Sequence, residues 1–177
     1  MIFTETKLSG AYIIEIEKSE DERGFFARTW DKKIFQKNRL GSKVVQCNIS
    51  FNKKKGILRG IHFQKKPYEE EKLVRCINGC IFDVIVDLRS TSKTYKEWFG
   101  VELSSKNYKS IFIPKGFAHG FQTLEDNTEV FYQMSQYHMP EYSNGFRWDD
   151  SSFRIKWPIK HPIISQKDLS WSNFEQY

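Results

Sequence analysis

The sequence lacks the features that mark membrane-spanning, secreted and disulfide-linked chains. No apolar run approaches the roughly 20 residues that a membrane helix needs, and the N-terminal residues MIFTETKLSG contain no apolar segment of a secretory signal. Cysteine is scarce, and its odd number, 3, provides no disulfide framework. We therefore expect a soluble protein of the reducing cytoplasm.

The chain also has no stretch rich in Pro, Gly or Ser that would separate one part from another, and no internal repeat or low-complexity segment. Its length of 177 residues is typical of one domain. Such a length is enough to bury a hydrophobic core without cross-links. The sequence therefore predicts a single domain over residues 1–177.

Basic residues outnumber acidic residues, which gives a formal net charge of +6 and favours anionic partners, including phosphorylated small molecules. The densest basic run, Lys53–Lys55, precedes Gly56 and is typical of a solvated hairpin turn. Other basic residues are interleaved with acids and form no stripe, and no basic amphipathic helix is visible. Binding to nucleic acid or to a membrane is therefore not expected.

Aromatic residues are abundant, with 15 Phe, 8 Tyr and 5 Trp, which favours strands over helices. Short apolar segments recur between turn signals, a pattern typical of an all-β sandwich or barrel. One short helix is predicted over residues 31–38, and SQKDLSWSNF (165–174) is irregular or a short helix. The predicted strands cover residues 11–17, 43–50, 57–64, 71–76, 80–89, 97–103, 109–114, 118–124 and 128–137.

The strand LRGIHFQ (58–64) carries a histidine whose role the residues alone leave open. A lone strand histidine is more often a packed or surface residue than a catalyst. A metal site would need His62, His119 and a carboxylate to converge. Under strict alternation Arg59 and His62 point to opposite faces, and a bulge at Gly60 would re-aim one of them.

Acid–base chemistry is the other interpretation of His62, because imidazole can take a proton near neutral pH. Tyr132 shares its strand face with apolar residues, so its phenol points inward, although a packed core tyrosine is the more common role. Lys72 could stabilise an oxyanion. Asp83 lies on an apolar strand face, either at the rim or buried with a partner. This set suits proton transfer at a carbon next to a carbonyl group.

Ten short segments form one ordered pattern along the chain. They are DERGFF (21–26), QCNIS (46–50), GILRGIHFQ (56–64), KLVRC (72–76), FDVIVDLR (82–89), SKTYKEW (92–98), IPKGFAHGFQTL (113–124), EVFYQ (129–133), GFRWDD (145–150) and ISQKD (164–168). In this order they resemble the dTDP-4-dehydrorhamnose 3,5-epimerase family of nucleotide-sugar epimerases.

The resemblance implies an all-β, cupin-type jelly roll with a few short helices. It also implies a homodimer with shared active sites, and no metal ion or organic cofactor. The implied substrate is a nucleoside-diphosphate 4-keto-6-deoxy sugar, with dTDP as the expected nucleotide and CDP or GDP as alternatives.

The resemblance further implies roles for individual residues. His62 resembles the general base that removes a proton next to the C4 ketone, and Asp168 resembles the acid that holds its imidazole. Tyr132 resembles the acid that returns a proton from the opposite face. Lys72 resembles the residue that stabilises the enolate oxygen, with His119 nearby. The implied substrate contacts, some from the neighbouring subunit, are Arg23, Phe26, Gln46, Asn48 and Arg59.

Two further candidate substrate-binding residues depart from the family's pattern. Arg28 stands where the family has a glutamate, which reverses the charge near the expected nucleotide pocket. Glu70 stands where the family commonly has a glutamine. Glu70 either contacts a different sugar or pairs with Lys72, Lys65 or Lys66. Alternatively, residues 69–71 form a solvated loop edge.

The predicted function is inversion of C3, C5 or both in a nucleotide-linked 4-keto-6-deoxy sugar, for deoxysugar or surface-polysaccharide biosynthesis. A single-centre epimerase or a ketoisomerase acting on a non-dTDP nucleotide sugar is the alternative within the same chemistry. A non-catalytic sugar-binding cupin is an alternative of another class, favoured if Tyr132 or Asp168 lies far from His62. A metal-dependent cupin oxygenase is a third alternative.

Overall fold

A computed structural model describes residues 1–174. Within them lie fourteen strands, two α-helices and one 3₁₀ helix. In chain order these are β1 (Ile2–Glu5), β2 (Tyr12–Glu15), β3 (Ser19–Asp21), β4 (Gly24–Phe26), α1 (Lys32–Lys37), β5 (Gln46–Asn52), β6 (Ile57–Gln64), β7 (Lys72–Asn78), β8 (Cys80–Asp87), β9 (Trp98–Ser104), β10 (Ser110–Ile113), β11 (Phe117–Thr123), β12 (Thr128–Met134), the 3₁₀ helix (Pro140–Tyr142), β13 (Ser143–Gly145), β14 (Ile163–Ile164) and α2 (Gln166–Leu169).

The strands form two large sheets and one separate hairpin. The first sheet has the order β1-β2-β10-β7-β12-β5, and the second has the order β13-β6-β11-β8-β9. Strand β14 joins the second sheet parallel to β6, and β3 pairs with β4 as the hairpin. Consecutive strands repeatedly change sheet, which is the connectivity of a jelly roll. The predicted all-β jelly roll with short helices is confirmed.

The two sheets pack face to face around one apolar core. Its members come from both sheets, for example Val74 and Val130 from the first and Ile85 and Phe121 from the second. A second cluster covers the outer face of the second sheet with residues from the C-terminal part of the chain, and a third lies under α1. Strand β8 is buried on both faces, which explains its nearly continuous apolar sequence.

Two acids interrupt the apolar inner face of β8, and both are fully buried with partners. Asp87 accepts hydrogen bonds from Arg89, Ser92 and Thr94. Burial of Asp87 opposes ionisation, but these hydrogen bonds outweigh it and hold the pKa of the carboxyl below its ordinary value. Asp83 pairs with a histidine of the neighbouring strand. Of the two positions that the sequence left open for Asp83, the rim and the interior, the structure selects the interior.

Most predicted elements are present, with differences at their ends. Helix α1 forms within the predicted residues 31–38, and Asp31 caps it by accepting the N–H groups of Lys33 and Ile34. Each of the nine predicted strands overlaps one observed strand, whereas β1, β3, β4, β13 and β14 were not predicted. Residues 53–55 are exposed as expected, but they connect β5 to β6 in the other sheet. The prediction of a hairpin there is wrong.

A bulge in β6 decides which side chains share its inner face. His62 lies opposite His119 and Arg59 lies opposite Phe121, so β6 carries one more residue than β11 between these pairs. The bulge requires glycine at position 60, where φ is +128° and a Cβ atom would meet the Gly120 Cα at 2.6 Å. Of the two arrangements that the sequence left open, strict alternation and a bulge at Gly60, the structure has the bulge, which turns Arg59 and His62 to the same side.

Candidate active site

Strand register brings one group of candidate residues to the inner face of the first sheet. In an antiparallel pair, directly opposed residues share a face. Tyr132 lies opposite Asn48 on one side and the core residue Val74 on the other. Two residues further along β12, Met134 lies opposite Gln46 and Lys72. Four predicted site residues from three adjacent strands, Gln46, Asn48, Lys72 and Tyr132, therefore point between the sheets.

The second sheet supplies the facing group. His62 and His119 are cross-strand partners, and Arg59 is paired with the core residue Phe121. A cleft between the sheets gathers both groups in two adjoining parts, with cavity volumes of about 320 Å³ and 450 Å³. Volumes of this size are those of ligand clefts. Four side chains border both parts: His62, Lys72, Tyr132 and Lys167.

The two parts of the cleft differ in their other side chains. The first part contains Arg59, His119 and Asp168, and the second contains Gln46, Asn48 and Glu70. Tyr132 and Asp168 therefore both lie at the cleft that His62 borders. A non-catalytic sugar-binding protein would be favoured if these two residues lay far from His62. The structure instead places all three at the same part of the cleft.

The C-terminal part of the chain presents an acid to His62. Strand β14 runs beside β6 and leads into α2, where Ser165 Oγ accepts the Asp168 N–H at 3.1 Å. Asp168 Oδ1 lies 2.7 Å from His62 Nε2, and Oδ2 accepts the Gly60 N–H at 3.4 Å. The ring of Trp171 meets the imidazole edge-on, with a centroid distance of 6.4 Å.

The charge state of Asp168 determines how His62 is protonated. Burial raises the pKa of Asp168, but hydrogen bonding and charge from His62, followed by the Gly60 N–H and Ser165, outweigh burial and hold it below its ordinary value. A carboxylate only accepts hydrogen bonds. His62 Nε2 therefore carries the proton that it shares with Asp168, and Nδ1 is left as the nitrogen that can act as a base.

A second acid–histidine pair lies beside the first. His119 Nε2 is 2.8 Å from Asp83 Oδ2, and Asp83 is fully buried while the His119 side chain is 12% exposed. Asp83 does not itself line either part of the cleft. Its place in the predicted acid–base set is therefore behind His119, whose ring it holds at the cleft wall.

Lys72 forms an ion pair with Glu70, the middle one of the three consecutive glutamates at residues 69–71. Its Nζ lies 2.9 Å from Glu70 Oε1, and the two side chains are only 13% and 5% exposed. Of the predicted partners of Glu70, the structure selects Lys72, whereas Lys65 and Lys66 are exposed. The solvated loop edge is wrong for Glu70, because this side chain turns inward beside Lys72 and lines the cleft.

A buried amide orients the arginine of the cleft. Arg59 Nε donates to Asn52 Oδ1 at 2.8 Å. Asn52 is 1% exposed, and its Nδ2 donates to the carbonyl groups of Ser50 and Thr128. These contacts fix the amide with its oxygen toward Arg59. The guanidinium therefore keeps N–H groups free to meet an anion in the cleft.

Three of the predicted substrate contacts do not reach the cleft within this chain. Arg23 is exposed and pairs with Asp21, Phe26 is 73% exposed, and Arg28 pairs with Asp31 at 3.5 Å. None of the three lines either part of the cleft formed by residues 1–174. Their predicted contact with substrate in a neighbouring subunit stays a prediction.

Sequence reasoning missed several residues of the cleft wall. Ser50 follows Asn48 on the same face of β5, so alternation alone could have found it. Lys167 precedes Asp168 and borders both parts of the cleft. No sequence signal points to His138, which lies in a loop. Among residues 1–174, no three His, Cys, Asp or Glu side chains are grouped so that they could hold a metal ion.

Fold and cleft together define a jelly-roll protein with an inter-sheet cleft bordered by an acid–histidine pair, a tyrosine and a lysine. A sequence profile described as dTDP-4-dehydrorhamnose 3,5-epimerase matches residues 5–176. The chain belongs to this family. The resemblance and the isomerase class expected from the sequence are confirmed.

Individual relatives match over nearly the whole chain. The dTDP-4-dehydrorhamnose 3,5-epimerase of Methanothermobacter thermautotrophicus is 50% identical over 173 residues, which are 96% of this chain and 92% of that protein. The crystal structure of the Bacillus anthracis enzyme with TDP and PPi bound is 39% identical, with a TM-score of 0.95 over 98% of this chain and 99% of that chain. The Legionella pneumophila dTDP-6-deoxy-D-glucose-3,5-epimerase in complex with dTDP-4-keto-L-rhamnose is 35% identical, with a TM-score of 0.91 over 97% and 92%.

Proposed function

We propose that this protein epimerises a dTDP-linked 4-keto-6-deoxy sugar at C3, C5 or both, without a cofactor, in deoxysugar biosynthesis. The observation that carries the proposal is the His62–Asp168 pair, joined at 2.7 Å in a cleft that Tyr132 and Lys72 also border. The TDP and dTDP-4-keto-L-rhamnose bound in the related structures support dTDP as the nucleotide.

The proposed reaction moves one proton off the sugar and one proton on. The C4 ketone acidifies the hydrogens on C3 and C5. His62 Nδ1 removes one of them, and the electron pair of the broken C–H bond shifts to the C4 oxygen to form an enolate. Lys72 donates a hydrogen bond to that oxygen. Tyr132 then gives its hydroxyl proton to the same carbon from the opposite face, which inverts the centre.

The surrounding charges support this assignment. Asp168 stabilises the imidazolium that forms when His62 takes the proton. Arg59 and Lys167 border the cleft and carry positive charge that suits a diphosphate. The acids at the cleft and the one behind its wall are each paired with a side chain that lines it: Asp168 with His62, Glu70 with Lys72, and the buried Asp83 with His119.

A homodimer with shared active sites is the assembly that we propose. The outer face of the first sheet, near its edge strand β5, exposes Ile49 (63%), Phe51 (48%) and Ile77 (41%). Such an apolar face is typical of a subunit interface. The β3–β4 hairpin exposes Phe26 and Arg23 away from the cleft of its own chain, where a neighbouring subunit's cleft would use them. Phe51→Glu should therefore yield a monomer in light scattering and lose dTDP affinity.

The cytoplasm is the compartment that we propose. Cys47, Cys76 and Cys80 are free thiols, with no disulfide among residues 1–174. Burial, aided by the nearby Cys80, raises the pKa of the Cys76 thiol to about 12, so it stays protonated at neutral pH. Unlinked cysteines of this kind support a reducing environment.

A substrate panel in D₂O tests the proposed function. The dTDP-, CDP-, GDP- and UDP-linked 4-keto-6-deoxy sugars are incubated with the enzyme and followed by proton NMR. We expect deuterium at C3, C5 or both of the dTDP sugar, and inverted product. His62→Asn should lower the exchange by about 100- to 10,000-fold, the usual loss for a positioned base. Exchange at the wild-type rate in that variant would remove His62 from the role.

A further inference from the structure

The ion pair between Glu70 and Lys72 is more enclosed than the other lysine–carboxylate pairs of the described chain. The Lys72 side chain is 13% exposed and that of Glu70 is 5% exposed. By contrast, the Lys54–Asp126 and Lys109–Glu15 pairs lie at the surface, with side chains 38% to 68% exposed. A surface pair contributes little to structure, but an enclosed pair restricts both side chains.

Glu70 contacts Lys72 and has no role in a wider network. Its Oε1 lies 2.9 Å from Nζ, and its buried Oε2 has no hydrogen-bond partner within residues 1–174. Asp168 differs, because both of its oxygens accept hydrogen bonds, from His62 and from Gly60. Within the described residues, the Glu70 carboxylate therefore has Lys72 as its one polar partner.

The contact between Glu70 and Lys72 matters because of where Lys72 lies. Lys72 borders both parts of the cleft. A lysine carries its charge on a flexible four-carbon stem, and its ammonium donates up to three hydrogen bonds. A donor that stabilises a developing oxyanion must be in place before the charge forms. An acceptor that holds Nζ at one point of the cleft wall leaves its remaining N–H groups to meet a ligand.

We propose that Glu70 is a positioning residue for the reaction, which fixes the Lys72 ammonium at the cleft wall through its Oε1 acceptor. The proposal rests on the proposed function, in which Lys72 donates to the C4 oxygen of the enolate. Glu70 acts through Lys72 and touches no reacting atom.

Kinetics of four variants test whether Glu70 acts through Lys72. Glu70→Ala should lower kcat by about 10- to 100-fold, the size of effect that misplacing a catalytic group causes. KM and the dTDP dissociation constant should change little. Glu70→Gln keeps an oxygen acceptor and should restore kcat to within about fivefold of wild type. In a Lys72→Met background, Glu70→Ala should have no further effect, because coupled residues are non-additive.

Glu69→Ala is the matched control, since it removes a neighbouring carboxylate that lines neither part of the cleft. It should leave kcat unchanged. The proposal is overturned if Glu70→Ala keeps wild-type kcat, or if Glu70→Gln is as slow as Glu70→Ala. It is also overturned if Glu70→Ala lowers kcat equally with and without Lys72.

An NMR measurement tests the positioning without any turnover. In protein labelled with ¹⁵N at its lysine side chains, a held ammonium gives an observable signal, which Lys72→Met assigns by its disappearance. We expect that signal in the wild type and in Glu70→Gln, and its loss in Glu70→Ala. Persistence in Glu70→Ala would refute the positioning role. Absence of deuterium exchange in the wild type would instead refute the proposed function, while the ammonium signal would still decide the role of Glu70.

Discussion

Replacing Asp168 by asparagine removes the negative charge that lies beside the His62 imidazole, while it keeps the shape of the side chain. The structure predicts a large effect because Asp168 Oδ1 lies 2.7 Å from His62 Nε2, in a site where Asp168 is 5% exposed. In the proposed reaction His62 becomes positively charged as it takes the proton. The lost interaction is therefore mainly one that the transition state makes, so kcat should fall while KM changes little.

The magnitude follows from the geometry of the pair. The contact places the two charge centres about 4 Å apart, and unit charges at that separation interact by about 4 kcal/mol at an effective dielectric constant of about 20. Because the His62 side chain is 37% exposed, solvent screening reduces this value. A range of about 2–4 kcal/mol converts to a loss of about 30- to 1,000-fold in kcat.

Deuterium exchange into the dTDP-linked 4-keto-6-deoxy sugar, followed by NMR, measures this loss directly. Asp149→Asn is a suitable control, since it neutralises an acid whose partner is Arg147 at the surface. It should exchange label at the wild-type rate. If Asp168→Asn keeps kcat within about threefold of wild type while still binding dTDP, the charge on Asp168 does not assist His62, and the reasoning fails.

Three other substitutions test separate parts of the molecule. Tyr132→Phe should still exchange label but slow inversion by about 100-fold or more because proton return is lost, which comparison of exchange and product NMR will show. Asn52→Ala leaves Arg59 unoriented and should weaken dTDP binding about fivefold, against an Asn78→Ala control in calorimetry. The folded-state pKa of Asp87 is lowered, so Asp87 stabilises the fold above about pH 4, and this is lost as pH falls through that pKa. Asp87→Asn should therefore flatten the fall of Tm below about pH 4, measured by circular dichroism.

Local sequence patterns predicted the strands better than the contacts between them. The alternation around Tyr132 placed its phenol inward, and the structure agrees because Val130 and Met134 on the same face are buried. Strict alternation separates Arg59 from His62, and only the bulge at Gly60 brings them together. Strand β14 has two residues, too few for any periodicity, and it forms because β6 offers an edge.

Long-range contacts of the site were accessible only through the family resemblance. Asp168 follows His62 by 106 positions, and no property of either segment indicates that they meet. For Glu70 the sequence left a solvated loop edge and a pair with Lys72 as alternatives, because a run of three glutamates is ordinarily solvated. The structure buries the middle glutamate against Lys72. Burial of a charge depends on where its partner lies, which composition does not reveal.

The late position of Asp168 in the chain has a consequence for protein synthesis. Every strand from β1 to β14 and the histidine, lysine and tyrosine of the site leave the ribosome before residue 168 does. The sheets can pair during translation, but the acid that orients His62 arrives only with α2. A nascent chain can therefore hold a formed jelly roll in which the His62 imidazole still lacks its acid partner.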